Sequence, residues 1–386
     1  MSNDLATLRI DGKNFAGWLN VEITRSLDNA AASFAFGFTS RYPGQVDPAR
    51  IRPGAACEVL IGDDRVVSGF VDSVAAKIDA KAHGLGVAGR SKTADLIDCS
   101  AVSGRWRNRK VERIARDLAD PFGVVVAFDP MTTGAALGRF AVESGETVIE
   151  AIQRAAALRH LIVTDNADGH LILTTPGAWY AEVAIEEGVN LLAGESKADA
   201  SVVFSSYVCR GQRVGDDGDF GDTVARVTGT AADPDVRRHR VLVVNAEAQV
   251  SGGAAKARAA WEAATRAGKS LEAAVTVQGW RQTPGGALWT PNRLVKVRAP
   301  SLGLAGEFLV AGVTLSLDES GTMARLELAL PDAYRAAPLV ATGKGGKGDG
   351  ARKGSGAWAE LADGARVDPW TGLYLSADAM TKTVIP

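Results

Sequence analysis

Phe34, Phe36 and Phe38 stand at every second position, with Ala35 and Gly37 between them. A β-strand turns successive side chains to opposite faces, so this spacing buries one face and leaves the other in water. Leu19, Val21 and Ile23 repeat the pattern against Asn20, Glu22 and Thr24. Turn signals separate the runs: Asp11-Gly12, Asp28-Asn29, Tyr42-Pro43-Gly44 and Gly62-Asp63-Asp64. Short strands at this spacing, with no long helix between them, predict an antiparallel sandwich or barrel over residues 1–100.

Residues 101–180 follow a different period. Val111, Ile114, Ala115 and Leu118 have helical spacing, and Pro121 ends that helix. A second helix is predicted to start at Ser144 as its N-cap, with Val148, Ile149, Ile152, Ala155 and Ala156 as its buried stripe. Leu161–Thr164 and His170–Leu173 flank Asp165-Asn166-Ala167-Asp168-Gly169, which reads as a hairpin. The segment is a small α+β domain.

Residues 181–338 return to β character, with strands resuming after about residue 195 and one inserted helix. That helix is predicted over Gly253–Arg266, with Gly268 as its stop. Arg258, Glu262 and Arg266 are four apart and can pair along its wet face. Val313–Leu317 and Arg325–Leu330 alternate. Val66–Val74 lines up with Leu309–Leu317. Each follows a proline-started strand, at Pro53 and Pro291, and each precedes a polar turn and another alternating strand. This points to an internal duplication.

Residues 339–356 form a Gly/Lys-rich linker, and 357–386 a C-terminal tail. The tail carries Trp358, Trp370, Leu373 and Tyr374 but is too short to build a core. Those side chains are therefore candidate partner contacts.

Composition narrows the function. The 386 residues carry 43 Lys plus Arg against 45 Asp plus Glu, a net charge of -2, which argues against a generally basic nucleic-acid binder. The longest uncharged stretch, Asn29–Ser40, is too short to span a membrane, so no membrane insertion is expected. The first residues lack the basic-then-apolar pattern of a secretory signal. Cys57, Cys99 and Cys209 are odd in number and far apart, against a disulfide framework or zinc site and in favour of a reducing cytoplasm.

Motif matches resolve into bland readings. Gly84-Leu85-Gly86-Val87-Ala88-Gly89 fits the dinucleotide pattern but sits inside an alternating strand, not before a helix. Gly268-Lys269-Ser270 follows a helix, whereas a phosphate loop precedes one. The acidic run Gly215–Asp222 has Thr228 where a calcium loop needs Glu, and reads as a solvated loop. Arg105, Arg107, Arg109 and Lys110 surround Trp106; such a cluster can neutralise phosphates while the ring stacks a base. A charged surface leading into the next helix is the simpler account. No histidine or serine spacing marks catalysis, so no catalytic, cofactor or metal residue is nominated.

Gly89-Arg90-Ser91-Lys92-Thr93-Ala94-Asp95-Leu96-Ile97-Asp98-Cys99-Ser100 resembles the signature stretch of the baseplate hub proteins of Mu-like contractile-tailed phages, also called tail or late-control proteins. Leu8–Gly12 with Phe15 and Trp18, the Val21–Ser26 strand, Glu143–Arg154 and the surroundings of Trp261 are similar to that family too. The resemblance covers roughly 5–335. It implies a β-rich α+β chain with two tail-tube-like antiparallel β-barrel domains. It implies a homotrimer whose six barrels join a hexameric tail tube to a trimeric spike. The ring leaves a channel that DNA traverses without specific binding. Wedge proteins are further implied partners, and the virion baseplate, assembled in the host cytoplasm, is the implied location. The hub module of type VI secretion spike proteins is related. The chain lacks long β-helical repeats, so the spike is expected on a separate chain. The alternatives are a tail-associated peptidoglycan-degrading enzyme and a DNA-contacting module built on 105–110.

Overall fold

The structure, a computed structural model, describes residues 4–39, 51–78, 83–128, 134–212, 226–246, 251–335, 366–367 and 374–375. The turn at Tyr42-Pro43-Gly44, the acidic run and the Gly/Lys linker lie outside the described residues.

The first ninety residues form β1 (Ala6–Ile10), β2 (Lys13–Phe15), β3 (Asn20–Ser26), β4 (Ser33–Thr39), β5 (Ala56–Ile61), β6 (Asp64–Ile78) and β7 (His83–Ser91). All pair antiparallel, in the order β3-β4-β7-β6-β5-β1-β2. As the alternation requires, Val21, Ile23, Phe34 and Phe36 are buried, whereas Leu19, which precedes β3, is exposed; Trp18 stacks on Phe36 at 4.8 Å. The glycine-rich run is strand β7. A Cβ on Gly89 would sit 2.2 Å from the Phe70 carbonyl oxygen and 2.5 Å from the Phe34 ring. Close approach of sheet and ring, not a cofactor, accounts for that glycine.

The middle holds α1 (Ala94–Asp98), β8 (Arg105–Arg109), α2 (Val111–Ala119), β9 (Val126–Phe128), β10 (Leu137–Ala141), α3 (Val148–Ala157), β11 (Ile162–Asp165) and β12 (Leu171–Thr174). Val111, Ile114, Ala115 and Leu118 of α2 meet the α3 stripe in a separate core. Pro121 lies in a 3-10 turn that follows α2. The N-cap of α3 is Thr147, not Ser144. Thr147 Oγ1 accepts from the Glu150 amide, and Glu150 Oε2 accepts from the Thr147 amide, a closed capping box. Ser144 stands before Gly145, whose φ of 84° ends the preceding turn.

The remainder forms β13 (Trp179–Tyr180), β14 (Ile185–Glu186), β15 (Leu191–Ala198), β16 (Ser206–Gln212), β17 (Arg226–Ala232), β18 (Val241–Asn245), α4 (Gly252–Lys269), β19 (Leu271–Gln278), β20 (Arg293–Ala299), β21 (Leu304–Asp318) and β22 (Gly321–Ala329). Strands therefore resume at Trp179, earlier than the alternation predicts. β15 is exposed from Leu192 to Ala198, so it has no buried face to imprint a period. α4 outruns its predicted end. Gly268 lies within its last turn, where a Cβ would come 2.4 Å from the Ala333 amide nitrogen. That glycine makes room for the segment after β22 instead of terminating the helix. Arg258 and Arg266 do pair with Glu262, at 3.0 and 3.1 Å, but Glu262 is buried and not on a wet face.

Fourteen strands among the described residues join one sheet, because β21 pairs with β3. One core runs through both halves, from Leu8 and Ile23 to Leu315 and Leu326. The halves repeat one another. β3-β4-β7-β6-β5 has the same neighbours as β15-β19-β22-β21-β20. β6 and β21 both have 15 residues, and each skips one residue against its hairpin-side neighbour β7 or β22, at Asp72 and Ala311; β6 has a further bulge, at Val66, against β5. Counting from the bulges, Val71 corresponds to Val310 and Val74 to Val313. The sequence alignment of Gly69 with Gly312 is thus displaced by four positions, and Gly69 matches Phe308 instead.

Gly69 tests this packing. A Cβ there would lie 1.9 Å from the Arg90 carbonyl oxygen, whereas Gly84 on the same ladder has no atom within 4 Å. Gly69→Ala is expected to cost about 1–3 kcal/mol in denaturant unfolding, and Gly84→Ala to stay within about 0.5 kcal/mol.

Candidate interaction surfaces

Two open stretches of sheet edge have counterparts that are covered in the other half of the large sheet. β15 pairs with β19 along one edge and with no strand along its other edge, apart from an isolated bridge at Leu191. β6 is the second. Its first half pairs with β5, which stops at Phe70; its second half has β7 on one side only. Ser73, Ala75, Ala76 and Lys77 are exposed, and Val74 is half-buried. The matching half of β21, residues 312–317, is covered by β3, and there Val313 and Leu315 are buried. An uncovered edge of this length offers unpaired amides and carbonyls to another strand.

The face of the sheet opposite the core is lined by small and polar side chains. Where β3, β4, β6, β7 and β21 meet, Glu22, Ala35, Ser73, Ala75, Ala88 and Ser316 line an open depression of about 510 Å³. Beyond the depression, arginines on this face pair with carboxylates. Arg90 reaches Asp72 at 2.7 Å and forks onto Asp98 at 2.7 and 3.2 Å. Those donors hold the Asp98 carboxyl below its ordinary range. Arg325 bonds Glu195.

The basic cluster lies on a two-stranded ribbon, β8 against β10. Trp106 is not presented for stacking. Its ring lies 6.0 Å from that of Phe140, and its Nε1 donates to Asp117 Oδ2 at 3.0 Å. Arg105, Arg107 and Arg109 are exposed, and Lys110 is the exposed residue at which α2 begins. The register sets Arg139 directly opposite Arg107. Sequence reasoning missed Arg139 because its partner strand lies thirty residues away in the chain.

In the tail, Arg366–Val367 (β23) pairs with Tyr374–Leu375 (β24), which places the Tyr374 backbone in a short ladder. Trp358, Trp370 and Leu373 lie outside the described residues. Cys57 and Cys209 are buried and all three cysteines are free. Burial, reinforced by Asp72 and Glu58, pushes the Cys57 thiol up to about 12, which keeps it protonated and inert. No helix among the described residues is long and apolar enough to cross a membrane. No group of three His, Cys, Asp or Glu among them stands where it could hold a metal.

Three family models match the chain. They are Mu phage baseplate assembly protein GpP-like, N-terminal, over 6–91; baseplate hub protein gp44-like, second domain, over 93–175; and Mu phage baseplate assembly protein GpP, fourth domain, over 251–337. Baseplate hub protein gp44 of Escherichia phage Mu is 37% identical over 374 residues, covering 93% of this chain and 96% of that one. The 43 kDa tail protein of prophage MuSo2 from Shewanella oneidensis superposes with a TM-score of 0.76 at 31% identity, over 86% of this chain and 100% of that one. The E. coli c3393 protein, a component of the type VI secretion system, gives 0.50 at 11% identity, over 86% and 79%, a likeness of fold.

Like charges directly opposite across a ladder repel. Arg139→Thr is therefore expected to stabilise the chain by about 0.2–1 kcal/mol at low ionic strength. The gain should shrink in molar salt, where screening is nearly complete. Thermal melts at the two salt concentrations check both the sign and the screening.

Proposed function

The chain belongs to the baseplate hub proteins of Mu-like contractile-tailed phages, and from that premise we propose that it is a symmetry adapter at the centre of the tail baseplate. Three copies form a ring that joins the sixfold tail tube to a threefold spike on a separate chain. DNA passes through the channel without specific binding. Wedge proteins pack around the ring, and assembly takes place in the host cytoplasm before the hub becomes part of the virion.

One observation carries this reading: the same five-strand unit occurs twice in one chain, joined side by side through β3 and β21. A subunit with two equivalent units presents six of them when three copies assemble. The role is mechanical, with no bond made or broken. The tail, through Trp358, Trp370, Leu373 and Tyr374, docks on a neighbouring subunit or another baseplate protein.

Light scattering and negative-stain images of the purified full chain test the adapter. The expected result is three chain masses and six lobes around a hole; a compact monomer in the presence of its spike counts against it. Deleting residues 343–386 is expected to weaken baseplate assembly in a complementation assay while leaving the subunit folded. Undiminished assembly would remove the tail from the interface.

A further inference from the structure

We propose that copies of this chain join edge to edge, the outer edge of β15 in one copy pairing antiparallel with the second half of β6 in the next. The register is the one that β3 and β21 use inside the chain. This deepens the ring reading above and rests on it.

The two halves of the sheet dictate the pairing. Within the chain, Glu22 opposes Ser316, Ile23 opposes Leu315 and Thr24 opposes Thr314; the Thr24 and Thr314 hydroxyls lie 3.2 Å apart. The bulges fix the equivalents on the β21 side, because Ser73 follows Asp72 as Gly312 follows Ala311. Ser316, Leu315 and Thr314 then correspond to Lys77, Ala76 and Ala75. On the β3 side the ladders give the match. Phe36 pairs with Val87 and Val21 with Phe36; likewise Val275 pairs with Leu326 and Gly194 with Val275. Glu22, Ile23 and Thr24 therefore correspond to Glu195, Ser196 and Lys197.

Carried across to a second copy, the pairs are Lys77 with Glu195, Ala76 with Ser196 and Ala75 with Lys197. The register sets a cation directly opposite an anion, the favourable arrangement across a ladder. Ala75 opposite Lys197 avoids a second cation there. Glu195 already bonds Arg325 of its own chain, so the incoming Lys77 completes a cation–anion–cation row. Both edges are exposed among the described residues, while their internal counterparts are covered. The contact is head-to-tail, each copy offering one edge of each kind, so it continues from copy to copy until a ring closes.

The joint is more polar than the one inside the chain. Buried Ile23 is replaced by exposed Ser196, whose hydroxyl donates to the Leu302 carbonyl at 2.7 Å. Backbone hydrogen bonds and the charge row hold it, with little apolar burial.

Cysteine cross-linking tests the register in the full chain, with Cys99→Ser as background because that thiol is only half-buried. Lys77→Cys combined with Glu195→Cys is expected to give, on mild oxidation, reducible covalent dimers and higher species. Either single variant should give none. Lys77→Cys with Ser196→Cys, on opposite faces, should give at least tenfold less. Light scattering of the reduced variants reports assembly separately. A chain of ring mass that stays uncross-linked overturns the strand pairing and leaves the ring standing. A chain that stays monomeric and uncross-linked at every concentration overturns both. A disulfide formed only within monomers, or equal yields from the two double variants, also overturns the pairing.

Discussion

The ladder between β3 and β21 makes one molecule of two halves. It runs from Val21 opposite Leu317 to Ser26 opposite Gly312. Each backbone hydrogen bond in it is worth only about 0.5–1.5 kcal/mol net. Its larger effect is geometric: it lets Ile23, Phe34, Val313 and Leu315 share one core across the boundary between repeats. Had the halves merely touched, both strands would end as open edges with apolar residues beside them. The sheet is continuous because the second half of β21 extends beyond β20 by the width that β3 needs.

The same strand anchors the helical module. Arg25, at the end of β3, donates through Nη2 to the Asp165 carbonyl oxygen at 2.8 Å. The Asp165 carboxylate accepts from the Ala32 amide at 2.8 Å, and its side chain is only 2% exposed. A buried carboxylate needs such partners, because alone it would forfeit its hydration. Arg65 adds an outer tie to Asp168 in the same hairpin. The turn after β11 therefore works as a bracket as well as a connection.

Much of this was legible in the residues. Period-two spacing located β3, β4, β21 and β22, and helical spacing located α2 and the stripe of α3. The repeat was visible but its register was not. A shift of four residues keeps every side chain on its own face, so alternation alone cannot tell one even offset from another. Only the bulges at Asp72 and Ala311 do, and a bulge leaves no mark in composition. β15 escaped notice because an edge strand exposed on both faces has no period to read. Thr147 with Glu150 was a readable capping box, passed over for Ser144 three positions earlier. The interaction surfaces were the least legible. Arg139 opposite Arg107, and the open edges at Lys77 and Glu195, depend on which strands become neighbours.

Covalent fusion of the two repeats has a kinetic consequence. In the ring proposed above, every second joint is closed when the chain folds, before any two chains meet. The tethered unit finds its neighbour at an effective concentration on the order of millimolar, whatever the abundance of the protein. The remaining joints alone depend on diffusional encounter. The rate of ring completion therefore follows chain concentration to a lower power than it would for separate units. A low copy number would therefore slow completion of the proposed ring less than it would slow a ring of separate units.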